Sequence, residues 1–289
     1  MSEQPLPVTW TSTLGTDNNG RYIDKLICYG GILYQCFPLN HPGEISKRAS
    51  SFVYDMVENR ILVDEASIKA QMSAIDRVIA EDKVHRITPS QINDVDPFWN
   101  NAFFNGADAL YGYGMIVTRG PKRVLEVGAG NSTKFFRRAI KDYSLDTRLI
   151  AIDPVPRAEI NEIADVVITK SVFDVDLAVF DQLQEGDFLF WDGSHVVSNG
   201  SDVTRLFLEV IPRLNPGVIV HIHDITMPFE GVFVRDVGDA SSPENYLLGT
   251  FILHNPLIKM LLPIHYLHRK GLISSAGCSF WFEMGGRPS

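Results

Sequence analysis

From Arg123 onward, short apolar runs alternate with stretches of helical spacing, and the runs close on polar residues. The runs are Arg123–Val127, Arg148–Ile152, Asp165–Thr169, Asp187–Trp191 and Gly217–His223, each rich in Val, Ile, Leu or Phe. Ser132–Asp142 and Asp202–Leu214 between them have the periodicity of helices. This alternation predicts a parallel, doubly wound α/β sheet covered on both faces. Such sheets place ligands beyond the carboxyl ends of the strands, where strand order reverses. Gly128, Asp153, Asp192 and Asp224 fall at those ends. Farther on, Asn245–Asn255 reads as a helix. Ile258–Leu267 and Cys278–Glu283 read as two more strands, joined through the Gly271–Gly277 turn region.

The exit of the first run is the most specific signal. Arg123-Val-Leu-Glu-Val-Gly-Ala-Gly-Asn-Ser-Thr133 is an apolar strand that enters a Gly-x-Gly turn and then a helix start. Gly128 and Gly130 permit tight backbone angles and close approach to a ligand. The third glycine of the dinucleotide fingerprint is missing, and no Gly-Lys-Ser/Thr follows, which excludes a P-loop. Asn131 or Ser132 can cap the next helix, and its N-terminus also attracts a carboxylate. Asp153 ends the second run, 23 residues beyond Gly130. A carboxylate there can accept both hydroxyls of a ribose; its other role is to cap the next helix. Lys170-Ser171-Val172-Phe173 follows the third run, with Phe173 either stacked on a base or in the core.

The densest polar cluster is Trp191-Asp192-Gly193-Ser194-His195 together with His221-Ile-His223-Asp224. Both groups end runs expected to be buried, where charged and imidazole groups need partners. Asp192 and Asp224 leave consecutive strands, so their carboxylates can face one cavity. With His223 or His195 they offer two or three ligands for Mg²⁺ or Mn²⁺. Alternatively, His195 is a general base, for which its ordinary pKa is suited. In the plainest alternative, His221 and His223 are hydrogen-bonded inner residues and Asp192 caps a helix. His221 sits deeper in its run and reads as structural. The remaining histidines have no partners at motif spacing.

A net charge of −9 and a pI of about 5.3 argue against a sequence-independent grip on nucleic acid. Nowhere do 18 apolar residues run together, so no membrane span is expected. Met1–Pro7 lacks the basic and apolar regions of a signal peptide. Cys28, Cys36 and Cys278 are scattered, which suits a reduced, cytoplasmic setting. The first hundred residues differ in kind from the rest. Leu26–Leu39 reads as a hairpin around Gly30-Gly31, and Ile61–Asp82 has helical spacing. Residues 1–100 are read as a part-helical accessory region near the mouth of the site. Its apolar hairpin is a candidate homodimer element. Residues 101–289 form the ligand-binding domain.

Glu126-x-Gly128-x-Gly130, with Asp153 after it, resembles the first motifs of class I S-adenosylmethionine (SAM) dependent methyltransferases. Four segments carry the resemblance, to the branch that groups macrocin O-methyltransferase-like and bacterial small-molecule enzymes. They are Phe104–Ile116, Arg123–Thr133, Asp187–Ile225, and Glu244–Pro256 with the terminal Ser279–Phe282. The resemblance implies a seven-stranded, mostly parallel sheet closed by an antiparallel hairpin. It assigns to SAM the residues Glu126, Gly128, Ala129, Gly130, Asn131, Ser132, Thr133, Asp153, Pro154, Ser171, Val172, Asp192 and Gly193. It makes His195 the base and gives Asp192 and Asp224 to the acceptor side, with Asp192, His223 and Asp224 around a divalent cation. One carboxylate of the branch's acid pair is His223 here, which lowers affinity for Mg²⁺ or favours a softer ion. The implied activity is methyl transfer to a hydroxyl of a small molecule, a sugar or secondary metabolite. Transfer to nitrogen stays open, as does a SAM-binding partner protein without turnover. An oxidoreductase on a related fold is disfavoured by the missing glycine.

Overall fold

The computed structural model describes residues 52–156, 159–229 and 243–286 in full, with the backbone of short strands inside 15–36 and 233–240. The chain forms two compact units that divide between residues 49 and 50, rather than near residue 100. In the first unit Lys25–Tyr29 pairs antiparallel with Ile32–Cys36, from Lys25 opposite Cys36 to Tyr29 opposite Ile32. This is the hairpin around Gly30-Gly31 read from the sequence. Residues 37–39 of that apolar segment lie outside the described residues.

The second unit holds a seven-stranded sheet. Its strands are β1 (Arg123–Val127), β2 (Arg148–Ile152), β3 (Val166–Ile168), β4 (Phe188–Trp191), β5 (Ile219–Ile222), β6 (Lys259–Pro263) and β7 (Phe280–Glu283). Their order is β6-β7-β5-β4-β1-β2-β3, with β7 antiparallel to both neighbours and the rest parallel. Strand order reverses between β1 and β4, which sets the crevice at their carboxyl ends. All four residues of β4 and of β5 are buried, as expected for strands covered on both faces.

The helices are α1 (Asp55–Val63), α2 (Glu65–Ile79), α3 (Asp82–His85), α4 (Gly106–Arg119), α5 (Asn131–Asp142), α6 (Ala178–Asp181), α7 (Asp202–Arg205), α8 (Glu244–His254) and α9 (Ile264–Arg269). The stretch read as one helix from Asp202 continues α7 as a π-helical turn, Leu206–Val210, and a 3₁₀ turn, Ile211–Arg213. The helical stretch read at Ile61–Asp82 breaks at Asp64. The Asp64 carboxylate accepts from Arg60 at 2.9 Å and from Met260 N at 2.9 Å, tying the α1–α2 corner to edge strand β6. Ile75 of α2 sits against Gly114 of α4, where a Cβ would lie 2.4 Å from Ile75 Cγ2. Residues 52–85 therefore pack into the core of the second unit, and Tyr54 N reaches Pro228 O after β5 at 2.8 Å.

One expected strand is half wrong. Ile258–Leu267 is a strand only to Pro263, and the chain then turns into helix α9. Pro263 closes the strand, and Ile264 N donates to Ser279 O at 2.9 Å. Short apolar runs do not distinguish strand from buried helix. Among the described residues no helix is long and apolar enough to cross a membrane.

Candidate active site

The glycine turn is organised from behind. Glu126 in β1 is fully buried, and both its oxygens are taken by hydroxyls of α5. Ser132 donates to Oε1, and Thr133 donates to Oε2 at 2.6 Å. Thr133 Oγ1 also accepts from Gly130 N at 3.0 Å. Burial pushes the Glu126 carboxyl up to about 8, against the two hydroxyl bonds that lower it. The side chains of Glu126, Ser132 and Thr133 thus face inward and shape the loop. All three are buried and spend their polar atoms on one another and on the loop backbone.

Gly128 has φ +83°, and a Cβ there would strike the Asp192 carbonyl oxygen. Asp192 N donates to Val127 O at 2.9 Å, so the exits of β1 and β4 are pinched together at the switch point. Gly130 is extended, at φ 178°, and open space faces it within 4 Å. At the end of β2, Asp153 accepts from Ala129 N at 2.9 Å and from Val155 N at 2.7 Å. The carboxylate braces the glycine turn and stays half-buried at the crevice. Pro154 is exposed beside it. At the end of β3, Val172 is buried and Ser171 half-buried. Phe173 is 44% exposed, which removes the core alternative for this ring. The Arg205 guanidinium donates to Phe173 O at 2.7 Å and Val175 O at 2.8 Å, fixing that turn.

Past β4, the segment from Asp192 to His195 is held by Asp202, at the start of α7. The Asp202 carboxylate accepts from Ser194 N at 2.8 Å and from the Ser194 hydroxyl. A Cβ on Gly193 would lie 2.0 Å from Asp202 Oδ2, so any larger residue would push the Asp202 carboxylate off Ser194. His195 then adopts φ +61°, and Asp224, after β5, adopts φ +57°. Left-handed backbone is uncommon outside glycine and is held only where surroundings impose it. Here it brings His195 Nε2 to 3.3 Å from Asp192 Oδ1 and 3.3 Å from Asp224 Oδ2. On its other side, His195 Nδ1 lies 2.9 Å from Glu244 Oε2, the first residue of α8.

Burial alone would lower the His195 pKa. The bonds to Asp192 and Glu244 and the charges of Glu244 and Asp224 outweigh it and raise it to about 10. Burial pushes the Glu244 carboxyl up, against the bond and charge of His195, which hold it down.

The structure regroups the other expected ligands. Asp192, His195 and Asp224 offer donor atoms within 4.8 Å of one another, whereas His223 clusters with Asp108 and Cys278. Asp224 links the groups: its Oδ1 accepts from the Cys278 thiol at 3.2 Å and lies 3.8 Å from His223 Nε2. Asp108 is engaged by Cys278 N at 2.9 Å and Ser279 N at 2.7 Å. His221 is fully buried and stacks on its cross-strand neighbour Phe190, centroids 3.9 Å apart. Burial first, and His223 second, hold its pKa well below the usual imidazole value. His221 lies deep in the core, where neither ring nitrogen finds a hydrogen-bond partner among the described residues. An open cleft lined by Ile211, Leu214, Phe251 and Leu257 lies apart from all these residues.

Glu244 and Asn245 were not singled out from the sequence as site residues. An acid in the first turn of a helix reads as a response to the helix dipole. Asn245 Oδ1 accepts from Thr226 N at 2.7 Å and Met227 N at 3.2 Å, and its amide donates to Asp224 O at 3.3 Å. The loop that bends Asp224 into the site is thereby fixed from α8.

Residues 125–225 match a family described as a methyltransferase domain. No curated protein matches the chain. Solved structures similar to it include three methyltransferases. The O-methyltransferase TomG from Streptomyces achromogenes, involved in tomaymycin synthesis and in complex with SAM, is 17% identical at TM-score 0.39, over 61% of this chain and 78% of that one. An O-methyltransferase from Bacillus cereus with S-adenosylhomocysteine is 12% identical at TM-score 0.40, over 80% and 100%. The Podospora anserina methyltransferase PaMTH1, also with S-adenosylhomocysteine, is 14% identical at TM-score 0.37, over 88% and 100%. The matched segment begins in β1 and ends just past Asp224, so it takes in the glycine turn and the exits of β4 and β5.

Proposed function

We propose that the chain moves the methyl group of SAM to a hydroxyl oxygen of a small molecule, with His195 handling the acceptor's proton. One observation carries the reading. His195 Nε2 stands between Asp192 and Asp224 at the carboxyl ends of β4 and β5, beside the glycine turn. SAM supplies an activated methyl group, so the protein's part is to position the reactants and manage one proton.

The residues around the crevice fit such a cofactor. Gly130 faces open space at the start of α5, suited to the carboxylate of the amino-acid half. Asp153 retains acceptor capacity for ribose hydroxyls, and the exposed Phe173 ring offers a face to a base. On the acceptor side, the carboxylates of Asp192 and Asp224 suit Mg²⁺ or Mn²⁺ completed by water and the acceptor oxygen, which leaves the His195 imidazole for the acceptor's proton. Asp192 and Asp224 would hold such a cation and orient the acceptor oxygen. With their charge engaged, these carboxylates no longer keep the proton on His195, which becomes able to accept one.

Three carboxylates around one imidazole also favour a second reading, transfer to an amine. Asp192, Asp224 and Glu244 suit an acceptor that arrives as a cation.

Titration calorimetry with S-adenosylhomocysteine, with and without Mn²⁺, tests the proposal. Binding that Asp153→Ala abolishes is expected. Absence of binding to the wild-type chain would end the methyl-transfer reading.

A further inference from the structure

We infer that Glu244 is the positioning residue for His195, fixing the ring so that Nδ1 donates and Nε2 is the atom turned to the acceptor. The inference rests on the methyl-transfer reading only for what Nε2 does; the ring's orientation stands on geometry.

Glu244 is 1% exposed, and Oε2 lies 2.9 Å from His195 Nδ1. Its Oε1 has no hydrogen-bond partner among the described residues. A carboxylate buried with so little company is costly. A hydrophobic residue would fill the volume at lower cost, so the acid is there for its bond to the histidine. A carboxylate accepts and cannot donate, which assigns the proton on Nδ1.

The backbone does not hold His195 by default, because φ +61° is a region that side-chain-bearing residues rarely adopt. Two elements impose it. Asp202 grips Ser194 on one side, and Glu244 grips the ring on the other. The neighbour of Glu244, Asn245, grips the loop carrying Asp224. Two consecutive residues at the start of α8 therefore set both halves of the Nε2 environment, the ring and one of its carboxylates. Asp192 and Asp224 approach only Nε2, at 3.3 Å each, and neither can choose which nitrogen faces Glu244.

The test is proton NMR of the full chain, ¹⁵N-labelled at histidine and stripped of metal with EDTA. The His195 ring signals are identified by their loss in His195→Gln. A downfield, exchange-protected ring proton on Nδ1 is expected in wild type. It should be lost in Glu244→Ala and kept, moved upfield, in Glu244→Gln, which retains an acceptor of the same reach. S-adenosylhomocysteine affinity should be unchanged in both variants. A protected proton on Nε2 instead, no protected proton in wild type, or a signal untouched by Glu244→Ala would each overturn the assignment. If Glu244→Ala fails to fold, Glu244→Gln decides: an unmoved signal overturns the assignment, and an upfield shift supports it. Failure of wild type to bind S-adenosylhomocysteine would instead sink the methyl-transfer reading, leaving the ring assignment to the NMR result.

Discussion

A Cβ placed on Gly128 would lie 1.9 Å from the carbonyl oxygen of Asp192. The glycine turn after β1 and the loop after β4 are therefore in close backbone contact at this point. Gly128→Ala adds a clash to an unfavourable φ of +83°. It should cost at least about 2 kcal/mol of stability and weaken S-adenosylhomocysteine binding together with any cation binding at Asp192. Denaturant unfolding and calorimetry on the same variant check this. Loss of one binding event without the other would show that the two loops are not coupled.

Asp153 already serves the backbone. Asp153→Ala leaves the buried Ala129 N without its acceptor, at about 1–3 kcal/mol, while the exposed Val155 N can turn to water. Asp153→Asn keeps an acceptor and should recover most of the stability. S-adenosylhomocysteine affinity should fall in both. If Asp153→Asn binds as tightly as wild type, the carboxylate serves the turn and not a ribose.

Glu126 gives a pH signature. Its folded pKa, about 8, lies above the ordinary 4.5, so its contribution to stability is complete below pH 4.5 and lost as pH rises through 8. Glu126→Gln is neutral throughout and can still bond both hydroxyls. It should fold and show a flatter stability profile between pH 4.5 and 8. Urea unfolding across that range is the measurement, and an unchanged slope would mean that Glu126 is ionised in the folded chain.

Asn245→Ala should loosen the loop after β5. Thr226 N and Met227 N lose a buried acceptor, for a loss of about 1–3 kcal/mol. Asn245→Asp keeps the acceptor but adds charge near Asp224, so it should rescue stability only partly. Hydrogen exchange at Thr226 and Met227 distinguishes this from a global effect: faster exchange confined to that loop is expected.

The parallel half of the sheet was legible because each strand is a short apolar run ending in a polar residue. Arg123–Val127 and Arg148–Ile152 match their runs end to end. The run at Gly217 yields a strand only from Ile219, because Gly217 turns with φ +81°. The terminal hairpin was harder, since nothing in Leu261–Leu267 marks the change from strand to helix except Pro263. In the site, Asp192, His195 and Asp224 were legible as polar residues at strand ends. Their partners were not. Glu244 is 49 residues from His195, and an acid opening a helix has an ordinary local explanation. The grouping of His223 with Asp108 and Cys278 depends on a contact 170 residues apart, between Asp108 and Cys278, which no local pattern encodes.

Strand order sets a schedule for synthesis. β7, the last of this sheet's seven strands to be made, lies between β5 and β6. Until residues 280–283 have left the ribosome, β5 presents a bare edge and β6 has no partner strand. Cys278 and Ser279, which engage Asp108 and Asp224, arrive with it. A nascent chain can thus wind the glycine-turn side of the sheet early, but the side that carries Asp224 is completed only once Cys278–Glu283 has been made. A chain interrupted before Cys278 would carry an exposed, apolar strand edge and would be prone to aggregate.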